Sequence, residues 1–380
     1  MRVPVFALVL GGCSFSASTP GSATIDAPSD SAPPIIDSAP LDGKVPPVCA
    51  GAYVDVCVDP PQSDVTLPSN IDTTNSSLCK AYNSTPSSSD ACVITGQSIS
   101  LPSGSTTHVV GNRQLVLFST GSITIGGVFD AAGHGKTSGP AGEVGPCGMG
   151  AKNPTHGAQG GGGWGGSFGT AGNNGGNGAS GTGGVAAPAI TATTLRGGCP
   201  GGTGANSGFN SGGGARGGGG GAVLLIARQS ITISGTIDAS GGGGGQGGFS
   251  GGGGGGGGAG GMIVLDAVNT VTLTGKCFAN GGGGGGGGSN FSGHDGGEST
   301  APTQVGDGGA GGFSTGGSGG AGAFGTTGSR PGNNGAPGNK PAGGDGAGGG
   351  GGGGVGIIRV YAATQTGTDD ATKLAPPLSN

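Results

Sequence analysis

Histidines and a fragment of a phosphate loop are the first places to look for chemistry in this chain. The four histidines are dispersed and lack carboxylates at a fixed spacing: His108, His134, His156 and His294. Such a pattern indicates neither a metal site nor a general base. The fragment Gly135-Lys136-Thr137 ends like a phosphate-binding loop, but that motif requires glycine at the position of Asp130. The sequence therefore predicts no nucleotide, metal or other cofactor.

Serine nucleophiles have no better support. The pattern GxSxG occurs at 165–169, 312–316 and 316–320. Since 104 of the 380 residues are glycine, chance explains these matches, and none lies between a strand and a helix as a nucleophile elbow must. Asp130 and Asp238 share one repeat position, but Phe278 replaces them in the next copy, so turn capping or solvation explains them better than a ladder of ligands. We predict no catalytic residue and no enzymatic activity.

The cysteines predict disulfide bonds. Four lie close together in a region rich in serine, asparagine and proline: Cys49, Cys57, Cys79 and Cys92. In an exported protein they form two disulfides, with three connectivities open. A metal site would need a CxxC spacing or a nearby histidine, and both are missing. Cys147 and Cys199 flank a glycine-rich insertion and are candidates for a third bridge. Cys277 falls on a core position of a repeated strand, which favours a buried free thiol over a reactive one.

The N-terminus has the features of an export signal. One arginine, a short apolar run and small residues precede Cys13, which makes residues 1–12 a predicted signal peptide. The sequence Leu-Gly-Gly-Cys at 10–13 resembles the bacterial lipobox. That resemblance implies a lipid on Cys13 and, with Ser14 behind it, attachment at the outer membrane or cell surface; an unmodified or absent signal is the alternative. Residues 13–47, rich in serine, proline and aspartate, are predicted to form an extended tether.

Composition narrows the class of protein further. The formal net charge is −5 without a cluster of lysine or arginine, which argues against a nucleic-acid partner. Glycine and proline make up about a third of the chain, which is typical of disorder. Charged residues, however, are only 9%, and the apolar residues are concentrated in repeated segments. No stretch is long and apolar enough for a transmembrane helix. The glycine is therefore expected to be structural.

Four copies of one unit organise residues 111–365, the predicted glycine-rich repeat domain. The copies lie at 115–133, 222–245, 262–288 and, truncated, 356–362. The middle two align without a gap at a spacing of 40 residues, with Ile231 on Val271 and Gly235 on Gly275. Before this domain, residues 48–110 are predicted to be a cysteine-containing region with the first strands. After it, residues 366–380 are predicted to be a disordered tail.

Each copy predicts two strands. The first run is continuously apolar, as in a strand covered on both faces. In the second, apolar residues alternate with threonine or serine, which predicts one buried face and one solvent face. The glycine that ends the second strand indicates a bulge or the close approach of another backbone. The predicted fold class is all-β, a repeat β-solenoid or layered sheet with no α-helical domain; a β-sandwich is the alternative.

Runs of consecutive glycine follow the strands, at 241–245, 251–258, 281–288 and 348–354. Ordering glycine costs more conformational entropy than ordering any other residue, so backbone hydrogen bonds must compensate. Extended chains with three residues per turn can supply them when packed side by side. We predict polyglycine-II helices in a bundle beside the sheet, with flexible linkers as the alternative. Collagen is excluded, because glycine is not confined to every third position.

The strand–polyglycine pattern over residues 111–362 resembles glycine-rich, PGRS-like surface lipoproteins of bacteria. It is also similar to polyglycine-II bundle proteins, among them springtail antifreeze proteins and phage tail-fibre adhesins. The resemblance implies a non-enzymatic protein of the cell surface with a structural or adhesive role, attached to the membrane through its lipid and open to a cell-surface or glycan partner. The alternative is a ligand-binding module for ice or glycans.

Two sets of side chains bear on these roles. Isolated aromatic residues in the glycine loops plug the bundle or, if exposed on one face, form a stacking platform for sugars. They are Trp164, Phe168, Phe209, Phe249, Phe291, Phe313 and Phe324. The outward threonines Thr124, Thr232 and Thr272 reflect β-propensity on a solvent face or form a short ice-binding row. The loops at 136–158 and 289–345 have the most varied surface, and any binding is expected there.

Overall fold

The computed structural model describes residues 45–80, 91–143, 145, 147–208, 211–313, 315–326 and 345–379. The predicted signal peptide, Cys13 and nearly all of the predicted tether lie outside the described residues. The described residues form strands, turns and extended segments, and among them there is no helix of the length and apolarity needed to cross a membrane. The prediction of an all-β chain without a helical domain is confirmed for this part of the chain.

Nineteen short strands occur in the described residues and are numbered in chain order. Their bounds are β1 Val48–Ala50, β2 Val56–Val58, β3 Val65–Thr66, β4 Asn70–Asp72, β5 Cys92–Gly96, β6 Ile99–Leu101, β7 Thr106–Val110, β8 Leu115–Ser119, β9 Ile123–Ile125, β10 Val128–Asp130, β11 Ala222–Ala227, β12 Ser230–Ile233, β13 Thr236–Asp238, β14 Met262–Ala267, β15 Thr270–Leu273, β16 Lys276–Phe278, β17 Ile357–Tyr361, β18 Thr364–Thr366 and β19 Leu374–Ala375.

Three parallel sheets contain all of these strands except the first two. Sheet I has the order β5-β8-β11-β14-β17, sheet II the order β3-β6-β9-β12-β15-β18, and sheet III the order β4-β7-β10-β13-β16-β19. Consecutive strands go one to each sheet, and the next copy of the unit pairs in parallel beside them. Strands β1 and β2 form a separate antiparallel hairpin. Strands β3 to β7, which precede residue 111, join the same sheets as the repeats, so the predicted boundary at 110 does not divide the fold.

The repeats pair in the register that the sequence predicts. In sheet II, Ile231 lies opposite Val271, as the 40-residue spacing requires. Gly235 and Gly275 stand at the corner where the chain passes from sheet II to sheet III. A Cβ atom on Gly275 would lie 1.9 Å from the Gly235 carbonyl oxygen. The close approach of another backbone, one of the two predicted reasons for this glycine, is therefore the one observed.

Alternation along the strands builds two apolar layers. The inward side chains of all three sheets form the main core, which includes Ile94, Ile231 and Ile237. Sheet I is buried on its other face as well, where Leu224 and Val264 pack with residues of the glycine-rich region such as Phe168. Coverage on both faces explains why the strands of sheet I are continuously apolar. Sheet II leaves its outer face in solvent, and its strands alternate. The outer face of sheet III is partly covered, since Phe278 and Ala375 are buried there.

The glycine-rich segments pack into an array whose backbone hydrogen bonds follow a three-residue period. In the segment 252–261, Gly254, Gly257 and Gly260 donate to one neighbouring segment with N···O distances of 2.9, 2.9 and 3.0 Å. That segment is 348–354, and the other two sets of every third amide donate in the same way to the segments 199–205 and 239–248. Carbonyls of the segment accept from 160–166, 214–220 and 282–288. Six neighbours thus satisfy its polar backbone groups without side chains.

Three disulfide bonds pair the six predicted cysteines, each with the next cysteine along the chain: Cys49–Cys57, Cys79–Cys92 and Cys147–Cys199. The first joins the strands of the hairpin, the second ties a loop to β5, and the third closes the glycine-rich insertion, as proposed from the sequence. Cys277 is a buried free thiol on β16, at the core position that its repeat register predicts.

The C-terminal residues belong to the sheets. Strand β19 pairs with β16, and β18 pairs with β15. Leu374 is buried and Leu378 packs against the main core, while the Ser379 amide donates to the Ile358 carbonyl over 2.9 Å. The prediction of a disordered tail is therefore wrong for residues 366–379. Two separated leucines close the open end of the core, and strands of two or three residues leave no periodic signal in the sequence.

Candidate functional site

Three phenylalanines stand at the tips of turns that reverse the glycine segments. Phe249, Phe291 and Phe313 are each 63% exposed, and together they are called the aromatic rim. Hydrogen bonds close each turn, for example from the Gly252 amide to the Gly248 carbonyl (3.1 Å) and from the Gly316 amide to the Gly312 carbonyl (3.0 Å). Phe313 has a φ of 48°, a left-handed conformation that turns the chain sharply. Rigid turns therefore present the rings to solvent.

The turns of the aromatic rim are neighbours at one end of the array. The Ser250 amide donates to the Ser289 carbonyl over 2.6 Å. The Ser289 hydroxyl in turn donates to the Gly312 carbonyl, also over 2.6 Å. The rings of Phe291 and Phe313 lie 5.8 Å apart, a spacing at which aromatic rings attract each other. Phe291 and Phe313 therefore form a contiguous aromatic pair, and Phe249 stands on a turn whose backbone is hydrogen-bonded to the turn of Phe291.

The remaining aromatic residues of the glycine loops have other placements. Trp164 and Phe168 are buried, so for them the plugging role is the observed one. Phe324 is half-buried, and Phe209 lies outside the described residues. The aromatic residues therefore divide into a buried set that seals the array and an exposed set at the turns.

A chain of imidazole and carboxylate groups lies at the outer face of sheet III and consists of His108, Asp130, His134 and Glu298. Parallel pairing places His108 opposite Asp130, and the His108 Nδ1 lies 2.8 Å from an Asp130 carboxylate oxygen. The His134 Nε2 lies 3.0 Å from that same oxygen. Its Nδ1 lies 2.8 Å from Glu298, which also accepts a hydrogen bond from the Gly135 amide (2.6 Å). Two of the four histidines thus have carboxylate partners, contrary to the expectation from sequence spacing.

The charges of the imidazole–carboxylate chain compensate one another. Hydrogen bonds to Asp130 and Glu298 raise the pKa of His134 to about 10. Burial opposes ionisation of both carboxyl groups, but the hydrogen bond and positive charge of His134, together with hydrogen bonds from backbone amides, outweigh it and hold the pKa of Asp130 and of Glu298 below the usual values. Burial raises the pKa of Asp238, the in-register neighbour of Asp130, to about 7. At neutral pH His134 is therefore a protonated link between two carboxylates, and it has no lone pair for a metal or a substrate proton.

A cavity of about 550 Å³ adjoins the imidazole–carboxylate chain at Glu298. Its polar side chains come from Lys136, Asp295, Glu298 and Thr300, and the rest of its lining is the glycine segment 243–245 with Gly135, Ala215 and Gly296. Both loops in which binding is expected from the sequence contribute to it. Asp295 accepts a hydrogen bond from the Gln246 amide (2.8 Å) and Glu298 is paired with His134, so its carboxylates hold loops together.

Metal-binding side chains converge at one place in the described residues, Cys49, Asp55 and Cys57. The two cysteines are bonded to each other and offer no thiolate. The paired aspartates of sheet III cap turns, as the sequence predicts: Asp130 accepts from the Ala132 amide and Asp238 from the Ser240 amide. These arrangements stabilise loops.

Sequence reasoning found the aromatic residues but missed the imidazole–carboxylate chain. The signal was present in part, because His134 follows Asp130 by four residues. His108 stands at the position that pairs with Asp130 in the neighbouring strand of sheet III. Glu298 gave no signal, since more than 160 residues separate it from His134. Comparison with protein-family models, with curated proteins and with solved structures finds no match to this chain.

Proposed function

We propose that this chain is a non-enzymatic adhesin of the cell surface, a β-solenoid with a polyglycine-II bundle that a lipid on Cys13 attaches to the outer membrane. The three-residue period of the glycine hydrogen bonds supports the polyglycine-II conformation. The delivery of consecutive strands to three parallel sheets supports the solenoid. Three disulfide bonds support export, because disulfides persist in oxidising compartments.

The aromatic rim carries the proposal of adhesion. A single exposed phenylalanine needs no explanation, whereas a contiguous apolar patch on a soluble surface marks an interaction site. Phe249, Phe291 and Phe313 share one end of the array, and two of the rings are in contact. Aromatic faces accommodate the apolar C–H face of a sugar ring. A surface glycan is therefore the ligand that we propose for the rim.

Binding to a glycan array and to whole cells tests this role. We compare the full-length protein with Phe291→Ala and the double variant Phe291→Ala/Phe313→Ala. The matched control is Val268→Ala, which removes a 60% exposed side chain from the turn between β14 and β15. Loss of a contact residue in a stacking site is expected to weaken binding at least about tenfold in the double variant, while the control binds as the parent does. Equal binding by the double variant and the control contradicts the proposal, as does a parent that binds no glycan and no cell.

The proposed anchor has a separate test. Cys13→Ser removes the thiol that would carry the lipid and leaves the described residues unchanged. We expect the parent to sediment with membranes and the variant to remain soluble, because a lipid chain contributes about 0.8 kcal/mol per buried CH₂ group. Co-sedimentation of the variant at the parental level would refute lipid anchoring without affecting the argument for the aromatic rim.

A further inference from the structure

The disulfide bond Cys147–Cys199, called here the third disulfide, has a guanidinium group beside its sulfur atoms. The Arg196 Nη2 lies 3.3 Å from the Cys147 Sγ and 3.4 Å from the Cys199 Sγ. Arg196 precedes Cys199 by three residues, and the bond brings Cys147 to the same place from the loop at 136–158. One cation therefore contacts both sulfur atoms of a single bond.

Arg196 is only 8% exposed and has no carboxylate partner among the residues that the structure describes. Its other contacts are the Gly197 carbonyl, which accepts from Nε over 3.4 Å, and the Phe168 ring, whose centre lies 5.4 Å from the guanidinium carbon. Glu143, the one acidic residue of the loop at 136–158, is paired with Arg216 over 3.0 Å instead. A buried charge without an opposite charge is unfavourable, and burial accordingly lowers the pKa of Arg196. A neutral disulfide does not offset this cost, whereas a thiolate would.

The charge beside the first disulfide has the opposite sign. A carboxylate oxygen of Asp55 lies within 4.8 Å of both sulfur atoms of Cys49–Cys57. A negative charge opposes the formation of thiolates there, whereas the positive charge of Arg196 favours it at the third disulfide. Cys49 is nevertheless exposed and Cys147 only half-buried, so access alone would favour reaction at the first bond. Charge, and not access, distinguishes the third.

The two sulfur atoms of the third disulfide differ in access. Cys147 is half-buried in its loop, two residues before the exposed Met149. Cys199 is 1% exposed, and its carbonyl accepts a hydrogen bond from the Ala259 amide over 2.9 Å, which holds it in the glycine array. An external thiolate can therefore reach the Cys147 sulfur, and the Cys199 sulfur is the leaving group. It leaves as a thiolate in contact with Arg196.

We propose that the third disulfide is a thiol–disulfide exchange site that accepts two electrons from an external dithiol. One thiolate of the dithiol attacks the Cys147 Sγ, the bond to the Cys199 Sγ breaks, and its electron pair stays on Cys199 as a thiolate. The second thiol loses its proton to solvent and attacks the sulfur now bound to Cys147, which leaves as a thiolate. The dithiol is thereby oxidised to a disulfide. This site involves neither the aromatic rim nor the lipid, so it does not depend on the proposed function.

Equilibration with dithiothreitol at graded ratios of reduced to oxidised reagent tests the proposal on the full-length protein. Free thiols are trapped by alkylation at each ratio and assigned to individual cysteines by peptide mass spectrometry. We expect the third disulfide to be reduced at a ratio at least about tenfold lower than Cys49–Cys57 is, because a hydrogen bond to a charged group is worth about that factor or more. For a two-electron couple, tenfold corresponds to about 30 mV.

Variants of Arg196 test whether the cation is the cause. Arg196→Met removes the charge and keeps a long unbranched side chain, and it is expected to raise the ratio needed to reduce the third disulfide about tenfold. Arg196→Lys keeps the charge and is expected to remain closer to the parent. The matched control is Arg216→Met, which removes the cation paired with Glu143 in the same loop and is expected to leave the ratio unchanged. Urea unfolding under oxidising conditions establishes that the variants are folded.

Several results would overturn the assignment. Reduction of the third disulfide at the same ratio as Cys49–Cys57, or only at a higher one, refutes the exchange site. Equal shifts in Arg196→Met and Arg216→Met would show that the packing of the loop, and not the charge, determines the ratio. In the reduced protein, Cys147 is expected to be alkylated at lower pH in the parent than in Arg196→Met, and identical pH profiles contradict stabilisation of a thiolate by Arg196. Arg196→Met is expected to bind glycans as the parent does, so the two proposals fail separately.

Discussion

Replacing Gly258 by alanine tests whether the glycine segments are a packed array or flexible linkers. A Cβ atom at this position would lie 1.9 Å from the Gly218 carbonyl oxygen, and real Cβ atoms essentially never approach a heavy atom within 3.0 Å. The segment that contains Gly218 would therefore have to retreat by about 1 Å in a region packed as densely as a protein core. That retreat disturbs backbone hydrogen bonds on both segments.

The size of the effect follows from those hydrogen bonds. Gly258 donates to Gly242 and accepts from Gly282, each over 2.9 Å, and Gly218 donates to Gly135 over 2.7 Å. Leaving one buried backbone group unpaired costs about 1–3 kcal/mol, and overpacking a filled interior costs about 1–3 kcal/mol more. We therefore expect Gly258→Ala to lower the free energy of unfolding by about 2–6 kcal/mol, a large part of the 5–15 kcal/mol typical of a native protein.

The matched control is Gly212→Ala. No heavy atom lies within 4 Å of a Cβ atom built on Gly212, which is exposed and near the same array. This change is expected to be neutral or to stabilise by up to about 1 kcal/mol, because alanine has fewer unfolded conformations than glycine. Urea unfolding gives the two free energies, and amide hydrogen exchange in 251–258 reports the array directly. Equal stability of the two variants, with fast exchange in that run, would refute the packed array.

Three further changes test separate contacts. Replacing both Cys79 and Cys92 by serine opens a loop with a sequence separation of 13 and is expected to lower the unfolding free energy by about 2–4 kcal/mol under oxidising conditions; an unchanged urea midpoint would contradict this. Glu298→Gln is expected to lower the pKa of His134 from about 10, with Asp130 still holding it above 6.5, as read from the imidazole signals in an NMR titration. The raised pKa of His134 stabilises the folded protein fully below pH 6.5, and the lowered pKa of Glu298 does so above pH 4.5. The parent is therefore expected to have its full stability advantage over Glu298→Gln between pH 4.5 and 6.5. The advantage is expected to be lost as the pH rises through about 10 and to fade in acid. Asp266→Ala removes the carboxylate that accepts hydrogen bonds from two backbone amides of the loop between β1 and β2, over 2.6 and 3.0 Å. It is expected to lower the free energy of unfolding, measured by chemical denaturation, by about 1–3 kcal/mol.

Internal repetition made the sheets predictable. Once Ile231 is aligned with Val271, a shift of one residue would turn every buried side chain outward, so the register of sheet II follows from the sequence. The same reasoning placed Cys277 in the core, because it stands at the position of Ile237. For the disulfides the sequence identified the participating cysteines but left three connectivities open for the first four. The structure selects the one in which each cysteine is bonded to the next cysteine in the chain.

Contacts between remote segments were not predictable in the same way. A run such as 281–288 has no side chains, so nothing in it distinguishes one glycine neighbour from another, and only packing of the whole array assigns its partners. The contact between His134 and Glu298 depends on that assignment, because the array brings the loop after 288 back beside sheet III. The two leucines near the C-terminus were missed for a related reason. Their role is to close a core that exists only after the sheets have formed.

The array also determines where variation is tolerated. Inside it, a side chain at most positions would strike another backbone, as at Gly256, where a Cβ atom would lie 1.9 Å from the Trp164 carbonyl oxygen. At the turns the chain leaves the array, and side chains as large as Phe249 and Phe291 extend into solvent. Glycine within the segments and aromatic residues at their tips are thus two consequences of the same packing. A protein built this way can change the sequence of its turns while the hydrogen-bonded segments that hold the turns in place stay the same.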